Sequence, residues 1–377
     1  MNQPTGKHQT CPKAPEPIPK VQVESTGRRA INSNQQGTSG KRLALFSLLF
    51  VALTGVGLYT VYTHFAGKSL SFDNRLLEPA TLLSLAALLA VYFIADALRL
   101  HFTLRALGHR LNAAVIARLV FINLFFSNVT PMATGGGFAQ IWYLHKHGVP
   151  IGTATAATTI RTLLAVIFIF SLTPVFLLSL GALEGRAISG NVGIALTFLI
   201  FLYLGFFAVL LLRTRWLMAP LAKLLTALWR LKLISAERHR HWQFKAKREM
   251  LRFSASFGDY LRGQPMYIAL SVLFTAVFLL SLFSFPALLL HSLDYTVDYI
   301  TTLGLLVVTT FIMYFSPTPG ASGISEGVFG SFFSEILAPS HLLLVIVAWR
   351  FLSIYLGMLI GLVVMQRELI RQRRATP

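Results

Sequence analysis

The sequence is poor in cysteine and in charged residues, and each shortage excludes a class of protein. Its 377 residues include one cysteine, Cys11. Neither an internal disulfide framework nor a cysteine-based metal site can therefore form within the chain. Only 12% of the residues are charged, whereas a soluble domain has about 25%. An ordinary soluble globular protein is therefore excluded.

Acidic residues are the scarcest charged group. There are 14 Asp and Glu against 33 Lys and Arg, and the net charge is +19. Such a balance is typical of nucleic-acid binding, of contact with an anionic membrane surface, or of cytoplasmic loops that orient a membrane protein. Because 55% of the residues are hydrophobic and most lie in long runs, we expect a membrane protein with no nucleic-acid partner.

Common catalytic and cofactor motifs are also missing. The sequence has no H-E-x-x-H, no G-x-x-x-x-G-K-[S/T] and no cluster of acids suited to a metal. The segment from Gly323 to Gly327 fits G-x-S-x-G, but a serine nucleophile needs a base within reach. All ten histidines lie in loops or at the ends of apolar stretches. We therefore expect no enzymatic activity, no cofactor and no metal.

The chain divides into a polar head, an apolar body and basic interruptions. Residues 1–42 are rich in proline and polar residues and carry seven Lys and Arg, which predicts a disordered basic tail. Residues 43–366 form the predicted transmembrane domain, and 367–377 form a second basic tail. A spanning helix needs about 20 apolar residues. Apolar stretches lie at 43–63, 79–100, 113–129, 152–180, 192–212, 266–290, 299–315 and 341–365.

The basic interruption at 213–265 lies within the transmembrane domain. It contains 12 Lys and Arg and three acids, with apolar residues at helical spacing between Trp216 and Trp229. This pattern predicts an amphipathic cytoplasmic helix that binds the anionic lipids of the inner leaflet. The alternative is a solvated loop whose positive charge only sets the membrane orientation.

The distribution of basic loops conflicts with a model in which every apolar stretch crosses the membrane. Positive residues favour the cytoplasmic side, which places both termini, 99–110 and 213–265 there. Three apolar stretches lie between the last two segments, an odd number. The conflict disappears if 113–146 is a re-entrant hairpin that turns at the helix-breaking segment 130–137.

A second helix-breaking segment repeats the first. The sequence TPMATG at 130–135 matches TPGASG at 318–323, and an arginine follows each proline by 30 or 31 residues, at Arg161 and Arg350. Three full spans separate the two segments, so the copies face opposite ways. The predicted fold class is all-α, a polytopic integral membrane protein with about six full spans and two re-entrant helical hairpins in an inverted repeat.

The two matching arginines are the main candidates for a functional site. Each lies nine residues into its helix, about 13 Å deep in a core about 30 Å thick, where an arginine costs roughly 2.5–3.5 kcal/mol. One interpretation is structural, with Glu326 neutralising Arg350 and with Arg161 bound to carbonyls of its own hairpin. The other is that both arginines hold an anionic head group in a polar cavity. The two interpretations are compatible.

Glycines at the hairpin tips predict a second anion-binding element. We expect Gly135, Gly136 and Gly137 to precede a short helix from Phe138, and 320–323 to precede another at 325–336. Both helices would begin with free N–H groups suited to phosphate. A tight helix-packing turn is the alternative. We expect Asp96 and Arg99 to form a local pair at the interface, and Glu326 to be a candidate proton carrier. The predicted substrate-binding residues are Arg118, Thr130, Pro131, Gly135, Gly136, Gly137, Arg161, Pro317, Pro319, Gly320, Ser322, Gly323, Glu326 and Arg350.

Three sequence segments resemble one known family. NLFFSNVTPMATGGG from Asn123, PTPGASGISEGVF at 317–329 and AWRFLS at 348–353 are similar to the transmembrane region of lysylphosphatidylglycerol synthases, a family described as flippase-like. The resemblance implies a helical protein of the bacterial cytoplasmic membrane that moves a lipid between leaflets. It also implies functional roles for Pro131, Gly135, Gly136, Pro317, Pro319, Gly320, Gly323 and Glu326. No aminoacyl-transferase domain follows residue 377, so we expect no lipid lysylation by this chain.

These observations predict a lipid translocase. A phospholipid or lipid-linked intermediate with an anionic or phosphate-bearing head group would cross through a central polar groove between the inverted halves. One alternative is a membrane-embedded enzyme acting on a lipid or polyprenyl substrate through Glu326 or Ser322. Another is a scaffold that recruits partners through the basic segment 213–265.

Overall fold

The computed structural model describes residues 73–179, 198, 200–202, 205 and 236–375 of the chain, and the regular elements within them are all helical. Short 3₁₀ turns lie at Asn74–Leu77, Pro131–Ala133 and Pro319–Ala321. The helices are α1 Pro79–Ala106, α2 Ala113–Val129, α3 Thr134–Lys146, α4 Ile151–Ser179, α5 Ala236–Arg262, α6 Pro265–Ser292, α7 Tyr299–Met313, α8 Ile324–Phe333, α9 Pro339–Arg350 and α10 Leu356–Ala375. A π-helical turn, Phe351–Tyr355, joins α9 to α10.

Four helices in the described part are long and apolar enough to cross a membrane: α1, α4, α6 and the continuous helix Pro339–Arg371. They correspond to four of the six predicted spans. Stretch 43–63 lies outside the described residues, and 192–212 lies largely outside them. The shorter apolar helices are α2 and α7, which are the predicted first arms of the two hairpins. The predicted polytopic all-α fold is confirmed.

The two hairpin tips have nearly the same backbone conformation. Thr130 and Thr318 are extended, as expected for a residue that precedes proline. The two residues after each proline are left-handed, with φ of 53° and 54° at Met132 and Ala133 and of 57° and 55° at Gly320 and Ala321. The T-P-x-A motif thus folds in the same way twice, which supports a structural repeat.

The two repeats run in opposite directions. Helices α1 and α6 are antiparallel, because Arg75 before α1 lies 2.8 Å from Asp294 after α6. At the other end of the pair, a Cβ on Gly263 before α6 would lie 2.8 Å from the Ala106 carbonyl oxygen at the end of α1. Short connections join α1 to α2 and α6 to α7, so the hairpins open at opposite ends of the bundle. Their tips contact each other.

Two elements differ from their predicted bounds. Helix α3 begins at Thr134 rather than Phe138, so the three glycines form its first turn instead of preceding it. The last helix continues through 367–375, where a basic tail was predicted. In the segment 213–265 the structure describes α5 at 236–262, while the predicted helix at 216–229 lies outside the described residues.

Close helix packing requires glycine at one position of the glycine run, Gly136. A Cβ on Gly136 would lie 1.8 Å from the Ser127 hydroxyl oxygen and 2.6 Å from Asn123 Oδ1, whereas a Cβ on Gly137 would meet no atom within 4 Å. The two arms of the first hairpin therefore approach each other at Gly136. The tight-packing interpretation of this glycine is supported.

The neighbouring glycines allow a matched test of hairpin packing. We expect Gly136→Ala to destabilise the protein by about 1–3 kcal/mol, because the added methyl group overpacks the α2–α3 contact. Gly137→Ala adds the same group in open space and should be neutral or stabilising by up to about 1 kcal/mol. Thermal unfolding in detergent measures both. Equal midpoints for the two variants would contradict the packing at Gly136.

Candidate functional site

A small cavity with both polar and apolar lining residues lies where the two hairpins meet. It has about 10 Å³ of solvent-accessible space, close to the requirement of one water molecule. The first hairpin contributes Asn128, and the second half contributes the remaining lining residues. These are Pro319, Gly320, Ser322, Arg350, Ile354, Tyr355 and Met358.

Arg350 is the charged residue of this cavity and is 1% exposed. Its Nη2 donates to the Gly320 carbonyl at 2.7 Å and to Ser322 Oγ at 3.4 Å. Its Nε lies 2.8 Å from Glu326 Oε1, but these two atoms are not aligned for a hydrogen bond. Nη1 is buried without a hydrogen-bond partner among the described residues. The guanidinium is thus neutralised but retains hydrogen-bonding capacity.

Glu326 lies in the first turn of α8, where a helix N-terminus favours a negative charge. It is fully buried, and its Oε2 accepts hydrogen bonds from the Gly323 N–H at 2.7 Å and the Ser325 hydroxyl at 2.8 Å. The predicted ion pair with Arg350 is confirmed. The predicted free N–H at Gly323 is wrong in this conformation, because the Glu326 carboxylate caps its own helix.

Arg161 is neutralised in a different way. It is 3% exposed, and it donates to Gln140 Oε1 at 2.6 Å and to Asp96 Oδ1 at 2.5 Å. The prediction that Arg161 binds hairpin carbonyls is therefore wrong, because its guanidinium donates to the Gln140 and Asp96 side chains instead. Arg99 Nε also donates to Asp96 Oδ1 at 2.5 Å. The Asp96–Arg99 pair is confirmed, and both residues are buried within the protein.

A hydrogen-bonded network links Arg161 to the first hairpin. Gln140 Nε2 donates to Asn123 Oδ1 at 2.7 Å, and the Ser127 hydroxyl donates to the same oxygen at 3.2 Å. Arg99 lies 3.8 Å from the centre of the Phe278 ring, which provides a cation–π contact. With two arginines and one aspartate, this cluster carries a formal charge of +1, whereas the Arg350–Glu326 pair is neutral.

Other predicted site residues lie elsewhere. Arg118 is 3.8 Å from Glu368, which also binds Lys146, at the open end of the first hairpin. The Thr130 hydroxyl donates to the Phe126 carbonyl and accepts the Gly135 N–H, so that N–H is not free either. Pro317 is exposed in the link before the second tip, and Pro131 begins the first turn.

Sequence reasoning missed Asp96, Gln140, Asn128 and Tyr355 as members of these sites. An aspartate inside the apolar stretch 79–100 was a usable signal, because a buried carboxylate needs a cationic partner. Gln140 lies on an arm of the predicted hairpin. Tyr355 had no distinguishing signal, since its place in the cavity depends on the π-helical turn that follows Arg350.

A second charged cluster fixes the other end of the bundle, where Asp73 and Arg75 precede the first residue of α1. Asp73 accepts hydrogen bonds from the side chain and backbone of Arg75, and this holds the pKa of its carboxyl below the usual range. His341 Nε2 lies 3.5 Å from Asp73, and its Nδ1 is 2.8 Å from the Tyr295 hydroxyl. These contacts hold the ends of α1, α6 and α9 together.

The buried carboxylates generate a stability prediction. We expect Glu326→Gln to cost about 3–5 kcal/mol, because it leaves Arg350 buried without a counter-charge. Asp96→Asn should cost at least as much, since two guanidinium groups then lose their shared anion. Thermal unfolding in detergent provides the measurement.

Asp298→Asn is the control for the Glu326→Gln and Asp96→Asn variants. The Asp298 carboxylate caps α7 at the surface, and asparagine caps a helix as well as aspartate does. Adding Arg350→Gln to Glu326→Gln should recover part of the loss. If Asp96→Asn left the unfolding midpoint unchanged, Asp96 would not be the anion that neutralises the arginines.

The sequence comparisons agree with this architecture. The family model "Lysylphosphatidylglycerol synthase TM region" matches residues 41–361. A UPF0104 membrane protein of Archaeoglobus fulgidus is 23% identical over 294 residues, which cover 78% of this chain and 88% of that protein. The matched range includes both hairpins, Arg161 and Arg350. The chain is therefore a multi-pass membrane protein that belongs to the lysylphosphatidylglycerol synthase TM region family.

Proposed function

We propose that the protein moves a lipid with an anionic, phosphate-bearing head group between the two leaflets. The observation that carries the proposal is the pair of hairpins, which open at opposite ends and meet at a cavity lined by Arg350. Transporters built from inverted repeats bind their substrates at such an interface near the bilayer midplane.

The buried carboxylates act as resident anions in this mechanism. Glu326 holds Arg350 while no lipid is bound, and a phosphate replaces the carboxylate when a head group arrives. A guanidinium binds phosphate through two parallel hydrogen bonds, and Arg350 has Nη1 available for this purpose. The displaced Glu326 keeps its bonds to Gly323 and Ser325, so it need not remain unpaired.

We interpret the described conformation as a closed state of the proposed transporter. Space for about one water molecule cannot hold a lipid head group, so the tips must separate before binding. Because each tip belongs to a different half, rocking of one half against the other opens the cavity to alternate sides. The acyl chains remain in the bilayer while the head group crosses.

Orientation follows from the basic segments. We place the end of the bundle that contains the α1 C-terminus and α5 in the cytoplasm, because Lys and Arg concentrate there. Both chain termini then lie on the cytoplasmic side of the cytoplasmic membrane of a bacterium. The first hairpin enters from that side and the second from the opposite side.

Transport is favoured over a membrane-embedded enzyme by the contacts of the residues that such an enzyme would use. Glu326 accepts two hydrogen bonds and pairs with Arg350, and Ser322 Oγ accepts from Arg350. Both residues therefore contact Arg350, and neither activates the other as a nucleophile and base would. We propose no catalytic role for them, and no cofactor.

A dithionite assay tests the proposal. Liposomes that hold the protein and a fluorescent anionic phospholipid should lose more fluorescence than protein-free liposomes, because inner-leaflet lipid becomes accessible. We expect Arg350→Gln to slow this loss at least about ten-fold, which corresponds to 1.4 kcal/mol of lost head-group stabilisation. Arg350→Lys should be intermediate, since it keeps the charge but loses bidentate geometry.

Arg110→Gln is the matched control, because Arg110 is exposed in the link between α1 and α2. It removes the same charge away from the tips and should transport normally. Size-exclusion profiles confirm that each variant is folded. Wild-type protein that moves no lipid, with or without a pH gradient, would refute the proposed function, and an unaffected Arg350→Gln variant would refute the role of Arg350.

A further inference from the structure

Helix α5 is fixed by one face to the helix that carries Arg161. Glu249 Oε2 accepts the Gly152 N–H at the start of α4 at 2.9 Å. Two turns further along α5, the Ser256 hydroxyl donates to Oγ1 of Thr153, the residue after Gly152, at 3.3 Å. Tyr260 is buried on the same face, in a cluster with Ala106 and Ile160. This face of α5 is therefore part of the folded core.

The contact between α5 and α4 is a direct backbone approach. A Cβ on Gly152 would lie 2.3 Å from the Glu249 carbonyl oxygen, so only glycine fits there. Burial raises the pKa of the Glu249 carboxyl, but the Gly152 N–H and the charges of Arg252 and Arg248 outweigh it, and the net pKa is lowered. Glu249 therefore remains an anion that caps α4, which needs an acceptor at its N-terminus.

The opposite face of α5 combines exposed apolar and basic side chains. Phe244 is 71% exposed and Leu251 is 52% exposed, and Lys247 lies between them at i+3 and is exposed as well. Residues at i, i+3 and i+7 share one side of a helix. Arg248, Arg252 and Arg262 are also exposed. An apolar stripe flanked by Lys and Arg is typical of a helix that lies in a membrane interface.

The link between α5 and a candidate membrane span indicates that the partner of this face is the lipid bilayer. Only Gly263 and Gln264 separate α5 from α6, a helix long and apolar enough to span the membrane. The C-terminal end of α5 is therefore close to the start of a candidate span, and the basic residues of the exposed face are complementary to anionic head groups.

We propose that the outer face of α5 is a binding site for the anionic surface of the bilayer. Phe244 and Leu251 insert among the acyl chains, while Lys247 and Arg262 contact lipid phosphates. This site is separate from the cavity at the hairpin tips and goes beyond the proposed transport. Because the inner face caps α4, the lipid surface holds the helix of Arg161 from outside.

An environment-sensitive probe tests the site in the full chain. In a Cys11→Ser background, Leu251→Cys labelled with NBD is reconstituted in phosphatidylcholine vesicles with or without phosphatidylglycerol. With the anionic lipid, we expect blue-shifted emission and stronger quenching by doxyl-labelled acyl chains. Each basic residue near the surface contributes about a five-fold increase in membrane affinity, so Lys247→Glu with Arg262→Glu should abolish the shift.

Controls separate this site from general charge effects. Lys247 and Arg262 form no ion pair with a described residue, whereas Arg248 and Arg252 contact Glu249, so the chosen changes spare the cap. Arg110→Glu makes a charge change of the same kind at the same end of the bundle and should leave the probe response intact.

The possible outcomes distinguish the site from other arrangements. A water-exposed probe in both lipid mixtures would refute the site and support a solvated helix. An equal blue shift in neutral and anionic vesicles would refute the requirement for anionic lipid. Since the probe reports the position of α5 and not lipid movement, neither result depends on whether the protein transports lipid.

Discussion

A guanidinium group buried in an apolar bundle needs an anion within reach, and this requirement organises the described structure. Arg350 has Glu326, supplied by the hairpin that its own half contributes. Arg161 has Asp96, supplied by the spanning helix α1, and Gln140 from the first hairpin. Because a buried charge without a partner costs several kcal/mol, these contacts fix how each hairpin packs against the long helices.

The two halves share a backbone plan but differ in charge. In both tips the two residues after proline are left-handed. One half nevertheless holds a neutral ion pair, whereas the other holds two arginines around one carboxylate. The cavity lies on the side of the neutral pair. In the proposed transport, an arriving anion would compete with Glu326 at Arg350, and the excess positive charge near Arg161 would attract the anion from the other half.

Much of the architecture followed from charge and helix-breaking residues in the sequence. The parity of the apolar stretches required a hairpin at 113–146, and the repeated T-P-x-A motif indicated its counterpart at 318–323. The pairing of Asp96 with Arg161 could not be foreseen, because 65 residues separate them and one sequence does not show which spans are neighbours. The three glycines were interpreted as a break before α3, but they form its first turn, and Gly136 allows the close approach of α2 and α3.

A structure of the protein in nanodiscs that contain anionic phospholipid tests the central claim most directly. We predict a conformation in which the tips have separated and a lipid phosphate is bound to Arg350. In that conformation Glu326 has moved away from the Arg350 guanidinium. Structures in which Arg350 stays paired with Glu326 in every conformation, while lipid phosphates bind only outside the hairpins, would contradict it.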